Sequence, residues 1–279
     1  MDKIKIKKNT VQETLIIPLY ARKLCTERFP HLFQDPAAVK LMGKIDYDFS
    51  EIERHSRSAM QEFGALECAM RQQDLAFEVR SYLEEHPTAA VVNLGCGLDQ
   101  TGKSCDNGTC RIYNIDLPDV IAVRERLIPT REREVNLAAD LNDTAWFEQI
   151  DASGGAVFFA AGVFYYFQKA QVRALVAAMG ERFPGGKLVF DAAGRLAVKL
   201  MLKTWIKQAE IQDVGAYFSV SDARRELESW PGNLRVSSRG YMQGYQRLEG
   251  PNVRTLYRLL ARLGDGPLKM QIVRIDFLF

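Results

Sequence analysis

The residues with the clearest chemical potential lie in one short run, VVNLGCGLDQ at 91–100. Two β-branched valines and Leu94 lead into Gly95-Cys96-Gly97. This spacing predicts a buried strand that ends in a glycine turn, where backbone N–H groups can approach a ligand closely. A second apolar run, RIYNIDLPD, ends its strand at Asp116, followed by Leu117. An acidic side chain there, about 20 residues after the glycines, is placed to accept both hydroxyls of a ribose. The pair implies a cofactor that contains a nucleoside. A dinucleotide fingerprint would place a third glycine at position 100, which is Gln100. A phosphate-cradling loop would need Lys-Ser/Thr after the glycines, and none follows. S-adenosylmethionine is therefore favoured over NAD.

Further candidates stand at the ends of later apolar runs. Asp140 can accept from an adenine amino group, with Leu141 covering the ring. Ala161-Gly162 and then Tyr165-Tyr166 follow the fourth run, and Asp191 ends the fifth. Each has a competing structural role. Asp116 and Asp140 can cap the helices that follow, the tyrosines can pack in a core, and Asp191 can be a polar strand end. For proton transfer the candidates are Tyr166 and His55. Cys105 and Cys110 bracket SCDNGTC, but no second Cys/His pair is near. No metal site is expected, and five cysteines, an odd number, do not suggest a disulfide framework.

Strands are predicted at 89–95, 111–116, 133–139, 155–160 and 187–192, with helices or loops at 118–127, 143–150 and 168–183 between them. Such alternation predicts an α/β fold, a doubly wound and mostly parallel sheet. The chain before it is helical in pattern. Pro18 should kink the helix over 11–29 or mark its start, and Asp35-Pro36 should open another. Residues 1–85 are thus expected to form a helical cap, and 86–279 the sheet domain, with a helical lid insertion at about 195–233 after the fifth strand, all one structural unit. The final run, KMQIVRIDFLF, reads as a strand paired with one near 234–242.

The formal net charge of +2 points neither to nucleic acid nor to an anionic membrane as a partner. KIKIKK near the amino terminus reads as a solvated tail. No signal-peptide core is apparent, and the longest apolar run, near 156–167, is too short to span a bilayer. A cytoplasmic protein is expected.

The chain resembles the leucine carboxyl methyltransferase family, and within it the bacterial O-methyltransferases of polyketide biosynthesis, the tetracenomycin type. The likeness rests on ETLIIPLYARKL at 13–24, DPAAVKLMGKIDYDFS at 35–50, CAMRQQDLAFEV around Arg71, VVNLGCGLDQ, YNIDLPDVI and AADL. AAGVFYYF resembles a family motif that opens Glu-Gly and closes on Tyr; Ala161 stands at the glutamate position, while Gly162 and Tyr166 match. The resemblance implies a class I S-adenosylmethionine-dependent methyltransferase with a Rossmann-like fold. Gly95, Cys96, Gly97, Asp116, Leu117, Asp140, Leu141, Ala161 and Gly162 would lie around the cofactor, and Arg71 would hold its carboxylate. Transfer to a hydroxyl or carboxylate oxygen of a small molecule is implied. The alternatives are a cofactor-binding protein that has lost catalysis, a protein C-terminal carboxyl methyltransferase, and an NAD-dependent oxidoreductase.

Overall fold

The computed structural model describes residues 3–6, 15–55, 58–201 and 217–279, with the main chain alone for residues 51, 52 and 55. The amino-terminal third runs β1 (Ile4–Lys5), α1 (Ile16–Arg28), α2 (Pro36–Met42), β2 (Ile45–Asp46), α3 (Ser50–His55) and α4 (Ala59–Glu85). Pro18 sits in the first turn of α1, where its missing N–H costs no helical hydrogen bond. Asp35 caps α2 by accepting from the Ala38 N–H at 2.9 Å, with Pro36 as the first helical residue. Ser58 caps α4 in the same way through the Gln61 N–H.

The first run of lysines departs from the expected solvated tail. Ile4 pairs in parallel with Ile45, and Ile4 and Ile6 are buried while Lys5 is exposed. The alternation of Lys and Ile is a strand pattern, and its charge masks its period of two.

The remainder alternates: β3 (Ala90–Leu94), α5 (Thr101–Ser104), β4 (Arg111–Asp116), α6 (Pro118–Leu127), β5 (Glu134–Ala138), β6 (Ala156–Ala160), α7 (Lys169–Arg182), β7 (Lys187–Ala192) and α8 (Arg195–Met201). Residues 144–149 and 164–166 form short 3-10 helices. After residue 217 come α9 (Ala223–Leu227), β8 (Leu234–Gly240), α10 (Thr255–Asp265) and β9 (Gln271–Phe277). The main sheet has the order β5-β4-β3-β6-β7-β9-β8. The strands β3 to β7 are parallel, and β9 runs antiparallel to both β7 and β8. The five predicted strands are present with ends shifted by at most a residue or so, and the carboxyl-terminal strand pairs with 234–240 as expected. It also inserts between that strand and β7, and α10 was not anticipated.

Strand residues alternate between two packed layers. Val91, Ile112, Val157, Phe159 and Val189 face the layer that includes α1, α4, α6 and α10. Val92, Leu94, Ile115, Phe158 and Phe190 face the layer of α7, α9 and Trp146. Both faces of β3 are therefore covered, which is why its five residues are all buried.

The connection after β8 packs along α4 and is held by two carboxylates. Asp265 accepts from the Met242 and Gln243 N–H groups at 3.0 and 2.8 Å. Asp74 of α4 accepts from the Tyr245 N–H at 3.1 Å and pairs with Arg239. Burial pushes the Asp74 carboxyl up from 3.8 to about 6, against the pull of Arg239. A carboxyl with a higher pKa folded than unfolded binds its proton more tightly in the native state. Its contribution to stability is thus present below the unfolded value and lost as pH rises through the folded one. Asp74→Asn is expected to flatten the fall in stability between about pH 4 and about pH 6. Thermal unfolding of both proteins across that range checks this, and parallel curves would acquit Asp74.

Candidate active site

The strand order reverses at β3, whose neighbours are β4 on one side and β6 on the other. A crevice at the carboxyl ends of the strands is expected at such a point. The glycine turn closes β3 there. Gly95 has φ +62° and Gly97 φ +45°, in the left-handed region. A Cβ at position 95 would lie 2.6 Å from a Val163 methyl, so both conformation and space require glycine. Cys96 donates its N–H to the Ile115 carbonyl at 3.0 Å, and its buried thiol is pushed well above the thiol range by desolvation.

Two buried arginines hold the carbonyls of this turn. Arg124 of α6, 1% exposed, donates to the Gly97 and Asp99 carbonyls at 2.9 and 2.6 Å, with Glu134 3.6 Å away as counter-charge. Arg22 of α1 donates to the Leu98 carbonyl at 3.1 Å and to the Asp99 carboxylate at 3.0 Å. Asp99 also accepts from Gln72, Asn93 and the Thr101 hydroxyl.

Asp116 lies at the tip of β4, beside the turn. Its carboxylate accepts from the Gly97 N–H at 2.7 Å and the Leu117 N–H at 2.8 Å. Burial raises its pKa, and these two bonds oppose the rise. The side chain does not cap the first turn of α6. It ties the glycine turn to the next strand, and each oxygen keeps a second lone pair for a ligand. The Ala139 N–H donates to the Asp116 carbonyl at 2.9 Å, which joins the tips of β4 and β5. Asp140 is exposed and accepts from both nitrogens of Asn142 at 2.9 Å, while Leu141 is buried in the core layer that holds Leu137 and Trp146.

On the other side of β3, Arg71 reaches from α4 to the tips of β6 and β7. Its Nη1 lies 3.0 Å from the Asp191 carboxylate, whose other oxygen accepts from the Gly162 N–H at 2.6 Å. Gly162 has φ +73°, and a Cβ there would be 3.2 Å from the guanidinium. Asp191 is 2% exposed, so this is a buried ion pair. Burial disfavours the charged guanidinium, but Asp191 outweighs it, and the pKa of Arg71 rises above the arginine range. Nε of Arg71 is buried and has no hydrogen-bond partner among the described residues.

Ala161 and Gly162 follow β6 at this end of the sheet, half-buried, and Val163 packs against Gly95. Tyr165 is buried, and Tyr166 is 41% exposed within electrostatic range of Arg71 and Asp191. His55 ends α3, and its side chain lies outside the described residues. Two side chains escaped the sequence reading. Glu67 stands four residues before Arg71 on α4, and Tyr241 donates its hydroxyl to Glu67 at 3.3 Å. The helical spacing of Glu67 and Arg71 was a usable signal; nothing in the sequence marked Tyr241.

The arrangement suits S-adenosylmethionine. A glycine turn, a carboxylate with spare lone pairs at the next strand, and an arginine whose Nε has no partner among the described residues are groups of the kind that a nucleoside and an amino-acid carboxylate require. A sequence match to the leucine carboxyl methyltransferase family covers residues 16–180. The chain belongs to the leucine carboxyl methyltransferase family. By family it is an S-adenosylmethionine-dependent methyltransferase, with S-adenosylmethionine as cofactor. It is 31% identical to the tetracenomycin polyketide synthesis O-methyltransferase TcmP of Streptomyces glaucescens over 65% of this chain and 66% of that protein. It is 26% identical to the S-adenosyl-L-methionine-dependent methyltransferase dpfgK of Gibberella zeae over 95% of this chain and 93% of the relative. The fold matches a crystal structure of a Thermobifida fusca protein assigned to the methyltransferases, with TM-score 0.58, 17% identity and 94% of each chain covered.

In this methyltransferase Arg71→Ala should act on both fold and ligand. It strips a buried Asp191 of its cation, a loss on the order of 3 kcal/mol of stability, and it should weaken S-adenosylhomocysteine. Arg71→Lys should recover part of each, because a point charge cannot make two parallel bonds. Urea unfolding and calorimetry measure the two effects, and unchanged ligand affinity in Arg71→Ala would remove α4 from the cofactor site.

Asp116→Ala should likewise cost about 1–3 kcal/mol of stability, since two backbone N–H groups lose their acceptor. Cofactor affinity should fall further than stability accounts for. Asp116→Asn, which keeps one acceptor oxygen, should restore more of the fold than of the affinity. Equal recovery of both would make Asp116 a structural tie alone.

Proposed function

We propose that the protein transfers a methyl group from S-adenosylmethionine to a hydroxyl or carboxylate oxygen of a small molecule, with polyketide-like compounds, the class that TcmP's name points to, as the first candidates. The observation that carries this reading is the pairing of two sites across the strand-order reversal. The glycine turn and Asp116 stand on one side, and the buried Arg71–Asp191–Gly162 cluster on the other. In this reading Gly95, Cys96 and Gly97 bring main chain to the cofactor, and Asp116 takes the ribose hydroxyls beside Leu117. Asp140 and Leu141 bound the adenine end, and Arg71, Ala161 and Gly162 bound the methionine end.

When bound, the cofactor supplies a methyl group on a sulfonium that is already a good leaving group. The protein's own task is alignment and exclusion of water. Arg71 and Asp116 fix the two ends of the ligand, and Tyr166 stands at the half-open mouth where an acceptor must enter. Its hydroxyl can orient the acceptor oxygen by a hydrogen bond. A carboxylate acceptor loses no proton during transfer. A hydroxyl loses one, for which Tyr166 and His55 are the candidate relays. A cytoplasmic enzyme is in keeping with this reading, and among the described residues no helix is long and apolar enough to cross a membrane.

Calorimetry with S-adenosylmethionine, S-adenosylhomocysteine and NAD should show binding of the first two alone. Turnover should then appear with members of a panel of phenols, alcohols and carboxylic acids, and not with peptides ending in leucine. NAD binding at comparable strength would overturn the cofactor assignment. Turnover confined to the peptides would move the acceptor to a protein carboxyl terminus. Binding without turnover on any acceptor would favour a protein that has lost catalysis, the reading that Ala161 would support.

A further inference from the structure

We propose that Glu67 receives the α-ammonium group of the cofactor's methionine tail, a role for which Ala161 offers no oxygen. This rests on the methyltransferase reading above. The tail carries a carboxylate and an ammonium on one carbon, so opposite charges must meet them within a small volume. Arg71 has donors to spare for the carboxylate. Among the described residues its Nε is buried without a partner, and its Nη2 has a single contact, 3.8 Å from the Cys68 thiol.

The ammonium needs an acceptor beside it. Asp191 is an unsuitable one, because it is 2% exposed and each of its oxygens already holds an N–H group. Tyr165 and Tyr241 are buried and neutral, and the Ala161 side chain ends in a methyl group. Glu67 differs from all of these. It is half-buried, lies one helical turn from Arg71 on the same face of α4, and among the described residues has a single hydrogen bond, from Tyr241 at 3.3 Å.

Charge balance points the same way. One guanidinium, Arg71, faces two carboxylates, Asp191 and Glu67. Burial pushes the Glu67 carboxyl up, Asp191 adds to the rise, and Arg71 and the Tyr241 hydroxyl offset only part of it. With both carboxylates ionised the cluster sets one cation against two anions, and a ligand ammonium beside Glu67 would balance it.

The test compares two ligands that share a nucleoside. S-adenosylhomocysteine has the amino-acid tail, and 5′-methylthioadenosine lacks it. Glu67→Gln keeps the size of the side chain and an oxygen for Tyr241. It should weaken S-adenosylhomocysteine by about 10- to 100-fold and leave 5′-methylthioadenosine unchanged, which also shows that the variant is folded. Glu67→Gln combined with Ala161→Glu should regain part of the lost affinity. Wild-type affinity for S-adenosylhomocysteine in Glu67→Gln, or an equal loss for both ligands, would overturn the assignment while leaving the methyltransferase reading intact. Failure of the wild-type protein to bind either nucleoside would remove both.

Discussion

The site depends on how the glycine turn after β3 is held from behind. A turn with two residues at positive φ leaves consecutive carbonyls without ladder partners. Here the carbonyls of Gly97, Leu98 and Asp99 are met by guanidinium groups from two helices, Arg124 of α6 and Arg22 of α1. Burying a guanidinium is costly unless its donors are used. Each arginine is therefore set against a carboxylate, Glu134 for Arg124 and Asp99 for Arg22. The turn is thus braced from both neighbouring helices, and α1 belongs to the site although it contributes no residue to the expected ligand.

The second half of the crevice uses a different device. A buried ion pair between α4 and β7 takes the place of a braced loop, and the Gly162 N–H closes the same carboxylate from β6. Three elements thereby share one charge. The two halves touch through Val163, which fills the space that a side chain at Gly95 would need. The connection after β8 completes the wall by delivering Tyr241 to Glu67, and it is itself anchored on Asp74 and Asp265. Polar groups thus tie together four segments that the apolar layers leave in separate places.

The strands β3, β4, β6 and β7 were legible as short runs buried on both faces, and the edge strand β5, with Val135 exposed, by its place in the alternation. Their order was legible as a class, since alternating strands and helices admit few arrangements. The position of β9 was less so: its pairing with β8 follows from pattern, but its insertion beside β7 depends on register across distant chain. TLYRLLARLGD forms α10 with three exposed leucines, at 256, 259 and 263, and the apolar stripe was overlooked between two expected strands. In the site, Gly95, Gly97 and Asp116 could be read because their local geometry and chemistry coincide. Asp191 looked like a polar strand end until Arg71 was found against it. Tyr241 was illegible for a plain reason: its place is set by two carboxylates on other elements, and a single residue in a loop carries no period.

The place of β9 has a consequence for how the chain assembles. β8 is made before β9, yet among the described residues it pairs with β9 alone. Until the last strand docks, β7 presents an open edge of unpaired amides, and β8 has nothing to join. If the parallel strands fold as they are made, a five-stranded sheet exposes its β7 flank until β9 arrives. Open edges of that kind recruit other strands. A lesion that disturbs β9 would remove two strands at once, and the β8 connection that carries Tyr241 would lose its footing with them.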